Sequence, residues 1–168
     1  MINDPLLLLL LALVLIALIV PWGFWRGGQR RVQTPPPKSI VVDGSNVMHW
    51  GGDPSAKVLS RVLRDLEEHG LTPIVYFDAN VGYVLGDAYF DEVKLASLTK
   101  LPVEQICVVG KGVVADEKLL AFAADHGLRV VSNDRYRDWR LQFPHLKKKG
   151  RVLRGTYDNG NVRWRGAL

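Results

Sequence analysis

Hydrophobic residues change their spacing twice along this chain. From Pro5 to Trp25 they run together without one charged side chain, and Leu6–Val20 is almost wholly Leu, Ile, Val and Ala. A bilayer span needs about 20 such residues, and this stretch reaches that length. Trp22, Phe24 and Trp25 close it where an interfacial aromatic belt belongs. No basic side chain precedes the run and no small-residue cleavage site follows it. An uncleaved single-pass anchor over residues 1–25 therefore fits better than a secretory signal. Residues 26–38 read as a basic, proline-rich linker whose Pro35-Pro36-Pro37 run favours extended backbone.

Beyond the linker, short continuous apolar runs alternate with helical spacing. Ser39–Val42 predicts a strand ending at Asp43. Asp53-Pro54 predicts the start of a helix carrying Val58, Leu59, Val62, Leu63 and Leu66, stopped at His69-Gly70. Pro73–Phe77 predicts a second strand ending at Asp78, and Ala88–Leu98 a helix. Gln105–Val109, a helix over Asp116–His126, and Leu128–Val131 continue the alternation. A short helix is expected over Tyr136–Phe143. VLRGTYDNGNVRW, with Asn-Gly between alternating segments, predicts a hairpin. Repeated strand–helix–strand units imply an α/β domain over residues 39–168, with a mainly parallel sheet between helical layers. In such sheets a site lies outside the carboxyl ends of the strands, where strand order reverses.

Charge sharpens this picture. The formal net charge is +5, and its excess is concentrated near one end of the sequence. Between Arg135 and Leu168, Arg135, Arg137, Arg140, Lys147, Lys148, Lys149, Arg151, Arg154, Arg163 and Arg165 face only Asp138 and Asp158. Such a balance suits a polyanion, either nucleic acid or acidic lipid headgroups. Arg26, Arg30, Arg31 and Lys38 follow the apolar span and Asp4 precedes it, which places the domain on the cytoplasmic side of the membrane. Cys107 is the single cysteine, so it has no disulfide partner within the chain.

The candidate chemistry is carboxylate. Asp43, Asp78 and Asp134 each follow a predicted strand, Asp116 opens the helix after the third, and Asp138 lies one helical turn beyond Asp134. Each has an ordinary alternative as a cap or loop residue. Caps account for Asp116 and Asp134 but leave Asp43 unexplained. Acids gathered at one sheet edge repel one another unless a cation joins them, and hard oxygen donors suit Mg²⁺ or Mn²⁺. The four histidines show no zinc spacing. Gly110–Ala115 also imitates a dinucleotide-binding turn, although Asp116-Glu117 would oppose a pyrophosphate there.

The motifs VVDGSNVMHW, GKGVVADEKLLAFA and VVSNDRYRDW, in this order, resemble the NYN/PIN-like ribonuclease domain of the Zc3h12a (Regnase-1/MCPIP) type. The resemblance covers roughly Ser39 to Trp139. It implies a PIN-like three-layer sandwich and Mg²⁺-dependent endoribonuclease activity on single-stranded or loop RNA. By motif, Asp43 and Asn46 match the D-G-S-N pair, Asp116 the first of two acids, and Asp134 and Asp138 the S-N-D-x-Y-R-D run. The second acid is Glu117 rather than Asp, and no CCCH zinc finger is present. A membrane span is foreign to the eukaryotic pattern and points to a bacterial relative.

On this reading Asp43, Asp116 and Asp134 hold Mg²⁺ or Mn²⁺, Asp138 supports them, and Asn46 orients a water or a phosphate oxygen. Lys111, Arg135, Arg137, Arg140, Lys147, Lys148 and Lys149 grip RNA phosphates. Tyr136 and Trp139 either stack bases or belong to the core. Two rivals stay open: an RNA-binding module without catalysis, and a nucleotide-binding domain using residues 110–115. Self-association also stays open.

Overall fold

The computed structural model of the protein describes residues 34–168. The expected anchor and most of the linker lie outside the described residues, among which no helix is long and apolar enough to cross a membrane. The chain forms β1 (Ser39–Asp43), α1 (Gly44–Val47), α2 (Ala56–Glu68), β2 (Thr72–Phe77), α3 (Val81–Gly86), α4 (Glu92–Thr99), β3 (Ile106–Val108), α5 (Ala115–Asp125), β4 (Val130–Val131) and β5 (Val152–Leu153). The hairpin strands β6 (Gly155–Asp158) and β7 (Asn161–Trp164) follow.

Strands β1 to β5 make one parallel sheet in the order β3-β2-β1-β4-β5. Because both faces are covered, the strands are apolar on both. Ile40, Val42, Val75 and Phe77 pack with α2 and α4 on one side. Val41, Ile74, Tyr76 and Val130 pack with Leu119, Leu120 and Ala123 of α5 on the other. This is the three-layer α/β arrangement that the alternation implied. Strand order reverses between β1 and β4, so their carboxyl ends flank the switch point.

Four local expectations are corrected. The second helix is capped by Ser55, whose Oγ accepts from the Val58 N–H at 3.4 Å, two residues after the Asp53 expected there. The helix expected over 88–98 begins only at Glu92, because Asp91 caps α4 by accepting from the Lys94 N–H at 2.8 Å, and the short α3 ends before residue 88. Residues 136–143 form successive turns and no α-helix. Val152–Leu153, read as part of the hairpin, joins the parallel sheet beside β4.

The hairpin turns at Asn159-Gly160, both at positive φ, as a tight two-residue loop requires. It is fixed to the domain by Trp164, which meets Trp50 edge-on at 5.6 Å and donates from Nε1 to Asp65 at 2.7 Å. A Cβ at Gly155 would collide with the Trp50 ring, so only glycine lets the hairpin begin there.

Candidate active site

β1 ends on Asp43, which is only 6% exposed. Side chains alternate along a strand, so Asp43 shares the face of Val41, where Tyr136 joins the α5 layer. The β1–β4 register pairs Val42 with Val131, so Ser132 is the next residue beside Asp43. Its Oγ donates to Asp43 Oδ2 at 2.9 Å, and the Tyr136 hydroxyl donates to the same oxygen at 3.0 Å. The other oxygen, Oδ1, accepts from the Asn46 N–H at 3.0 Å. Asp43 is thus the N-cap of α1, and capping explains part of what it does after all. Asp116, by contrast, is no cap: Val114 holds that position without a side-chain bond.

The turn after Asp43 is possible because residue 44 is glycine. A Cβ there would strike the Phe77 ring of β2. Ser45 Oγ accepts from the Asp78 N–H at 3.0 Å, tying the end of β2 to α1. Asn46 Oδ1 accepts from Trp50 Nε1 at 3.1 Å and from the Asn133 N–H at 2.9 Å. Both partners are donors, which fixes the amide orientation. The amide oxygen is committed to the fold, and the NH₂ group is what remains for a phosphate or a water.

The segment after β4 completes the edge. Ser132 Oγ also accepts from the Asp134 N–H at 3.0 Å. Asn133 donates to the Gly155 carbonyl at 2.9 Å and accepts from its N–H at 3.3 Å, a side-chain rung between β4 and the hairpin. Asp134 Oδ1 accepts from the Tyr136 N–H at 2.6 Å, closing a turn in which Tyr136 takes φ 45°.

The electrostatics identify a cluster. Burial pushes Asp43 above the usual carboxylate range, against the opposing effect of its three donors, and Asp78 adds repulsion. Asp116 is pushed up to about 6, first by burial and then by Asp43, Asp134 and Asp78, with Trp139 hydrogen-bonding against the rise. Each of these charges is another carboxylate. Burial, with Asp43 beside it, also raises Tyr136 far above the ordinary phenol range, so its hydroxyl stays a donor. Asp43, Asp78 and Asp134 thus all act on Asp116, and Asp78 acts on Asp43 as well. Asp138 is exposed among the turns and is not a leading influence on either raised carboxyl.

Among the described residues, no three His, Cys, Asp or Glu side chains converge closely enough to enclose a metal ion. The donor set nevertheless fits a hard divalent cation that keeps most of its waters, since such an ion uses one or two carboxylates directly. Arg135, Arg140, Lys147, Lys148 and Lys149 line one groove; Lys111 and Arg137 are exposed outside it.

Ser132 and Tyr136 were not legible as partners of Asp43. The available signal was the polar S-N-D run directly after an apolar strand, which announces a site but not which atoms it serves. Asp78 was visible at a strand end, and the structure adds its influence on Asp43 and Asp116.

Comparison with known proteins identifies the domain that carries this edge. No curated protein matches the chain. Two structures of the nuclear protein-only RNase P 2 of Arabidopsis thaliana match, each with a TM-score of 0.61 and 18% identity. One match covers 79% of this chain and 30% of that one; the other covers 92% and 35%. The chain thus spans about a third of the length of these proteins, and the likeness shows the fold alone. Residues 36–162 match the model of the Zc3h12a-like ribonuclease NYN domain. The carboxylate edge belongs to a domain of RNase type, and the chain is a member of the Zc3h12a-like ribonuclease NYN domain family.

Proposed function

We propose that this protein is a divalent-cation-dependent endoribonuclease that hydrolyses phosphodiester bonds in single-stranded or loop RNA. The observation that carries this reading is the group of mutually repelling carboxylates around buried Asp43 at the sheet's switch point. Asp43, Asp116 and Asp134 would hold Mg²⁺ or Mn²⁺, directly or through water, with Asp78 beside them. Such an ion supplies charge neutralisation at the scissile phosphate and an acidified water.

The chain's own residues do the rest. Ser132, Tyr136 and the Asn46 N–H hold the Asp43 carboxylate in one orientation. The Asn46 NH₂ group can meet a phosphate oxygen without adding negative charge. Arg135, next to Asp134, brings a cation to the flanking phosphate. Asp138 would act at longer range, from the exposed turns. We further propose that residues 1–25 anchor the chain in a membrane with the domain on the cytoplasmic side, as the flanking charges indicate.

The test is cleavage of labelled RNA by the full chain with and without Mn²⁺. Asp43→Asn should lower the rate by about two orders of magnitude or more, as expected for losing several kcal/mol of charge stabilisation. Cleavage by this variant at the parent rate would end the assignment. Because both Asp43 oxygens already accept hydrogen bonds, an RNA-binding module without catalysis is the second reading; RNA retained intact in Mn²⁺ would establish it.

A further inference from the structure

The groove beside the carboxylate edge has a volume of about 560 Å³. Two stretches of chain meet there. One runs from Arg135 through Arg140 to the Lys147–Lys149 run, and the other brings Arg154 and Arg165 together, with the Arg165 N–H donating to the Arg154 carbonyl at 2.7 Å. The remaining lining is aliphatic: Leu146 and Leu153 are 7% and 5% exposed, and Val152 is half-buried.

No carboxylate lines the groove. Among the described residues the ion pairs use Arg61, His69 and Arg163, and none uses a groove cation. Like charges held close together without acids raise the local potential, and a polyanion lowers it. His145, three residues from Lys148, senses the same field: its pKa is lowered by burial and then by Arg151 and Lys148.

We propose that this groove is a second nucleotide subsite, holding two or three consecutive phosphates of single-stranded RNA on its cations with a ribose or base against Leu146 and Leu153. The assignment rests on the ribonuclease reading for the identity of the polyanion. A concave site with an aliphatic floor favours an inserted strand over the flat headgroup layer of a membrane. Arg135 directly follows Asp134, so a strand in the groove reaches the carboxylates within a few nucleotides. The subsite therefore sets a minimum substrate length and contributes affinity without reading sequence.

The test uses the full chain carrying Asp43→Asn, so that RNA persists, and a fluorescent single-stranded RNA of about twelve nucleotides read by anisotropy across a salt series. Adding Lys148→Glu with Arg165→Glu should weaken binding at least tenfold. It should also reduce the slope of log affinity against log salt by about 1.4, the value for two lost phosphate contacts on a single strand. Lys57→Glu, on the exposed side of α2, should leave both unchanged. An unaltered affinity and slope in the double variant would overturn the subsite, whether or not the parent cleaves RNA. The subsite would equally fall if the double variant kept its RNA affinity and lost only a preference for phosphatidylglycerol over phosphatidylcholine vesicles. If the parent fails to cleave but the groove variants still lose RNA, the subsite stands and the nuclease assignment falls.

Discussion

The carboxylate edge and the basic groove are adjacent, and both crowd charges of one sign, yet they are built in opposite ways. Asp43 is buried and each of its oxygens meets protein donors. The cations of the groove are mostly exposed and meet no protein acid among the described residues. A buried charge must be satisfied inside the fold, so its removal is felt by the fold. An exposed charge is satisfied by water, so its removal is felt mainly by a ligand. Stability and binding should therefore respond to different residues.

The largest effect tests that division. Asp43→Ala strands three donors at once and should cost about 3 kcal/mol of stability by denaturant unfolding. Asp43→Asn removes the repulsion on Asp116 but turns an NH₂ toward one of the donors that met the carboxylate, so it should lose less stability than the alanine variant without matching the parent. Lys148→Glu should stay within about 0.5 kcal/mol of the parent. If the alanine and glutamate variants were equally stable, the contrast between the regions would be lost.

Next in size is Gly155→Ala, which drives a methyl into the Trp50 ring. Overpacking of this kind should cost about 1–3 kcal/mol. Since Gly155 also pairs with Asn133, RNA cleavage should fall with it, and a stable, fully active variant would detach the hairpin from the site.

The smallest effect is a pH dependence. Asp116 rises from 3.8 in the unfolded chain to about 6 in the fold. Between those values the native state holds a proton that the unfolded chain has released, so stability falls as pH rises through the window and levels off above it. A bound cation offsets the repulsion from Asp43, Asp134 and Asp78 that adds to burial in raising it, and favours the charged carboxylate. Mn²⁺ should therefore raise Tm more at pH 7 than at pH 5, and equal shifts would place Asp116 outside the cation's reach.

Much of this architecture could be read from residues, for physical reasons that also explain the failures. Continuous apolar runs such as IVV and IVYF belong to strands covered on both faces, and few other structures produce them. Acids directly after such runs were therefore assignable to one edge. Residues 136–143 misled because Tyr136, Trp139 and Phe143 repeat at helical spacing, while Asp134 Oδ1 takes the Tyr136 N–H and turns the chain into positive φ. The same turn carries the Tyr136 ring into the α5 layer and its hydroxyl to Asp43. No local pattern encodes a bond between residues 93 apart in sequence. The cap at Asp43 was hidden because Gly44 and Ser45 look like loop chemistry rather than the start of a helix. β5 escaped notice because two residues are too few to show a period.

The rung between Asn133 and Gly155 joins the two charged regions mechanically. Arg154 precedes the rung and Arg165 follows the hairpin it anchors, while Ser132 and Asp134 flank its other end. A pull on the hairpin base is thus a pull on the residues that hold and neighbour Asp43. The groove and the carboxylates share one lever, with Asn133 as its fulcrum.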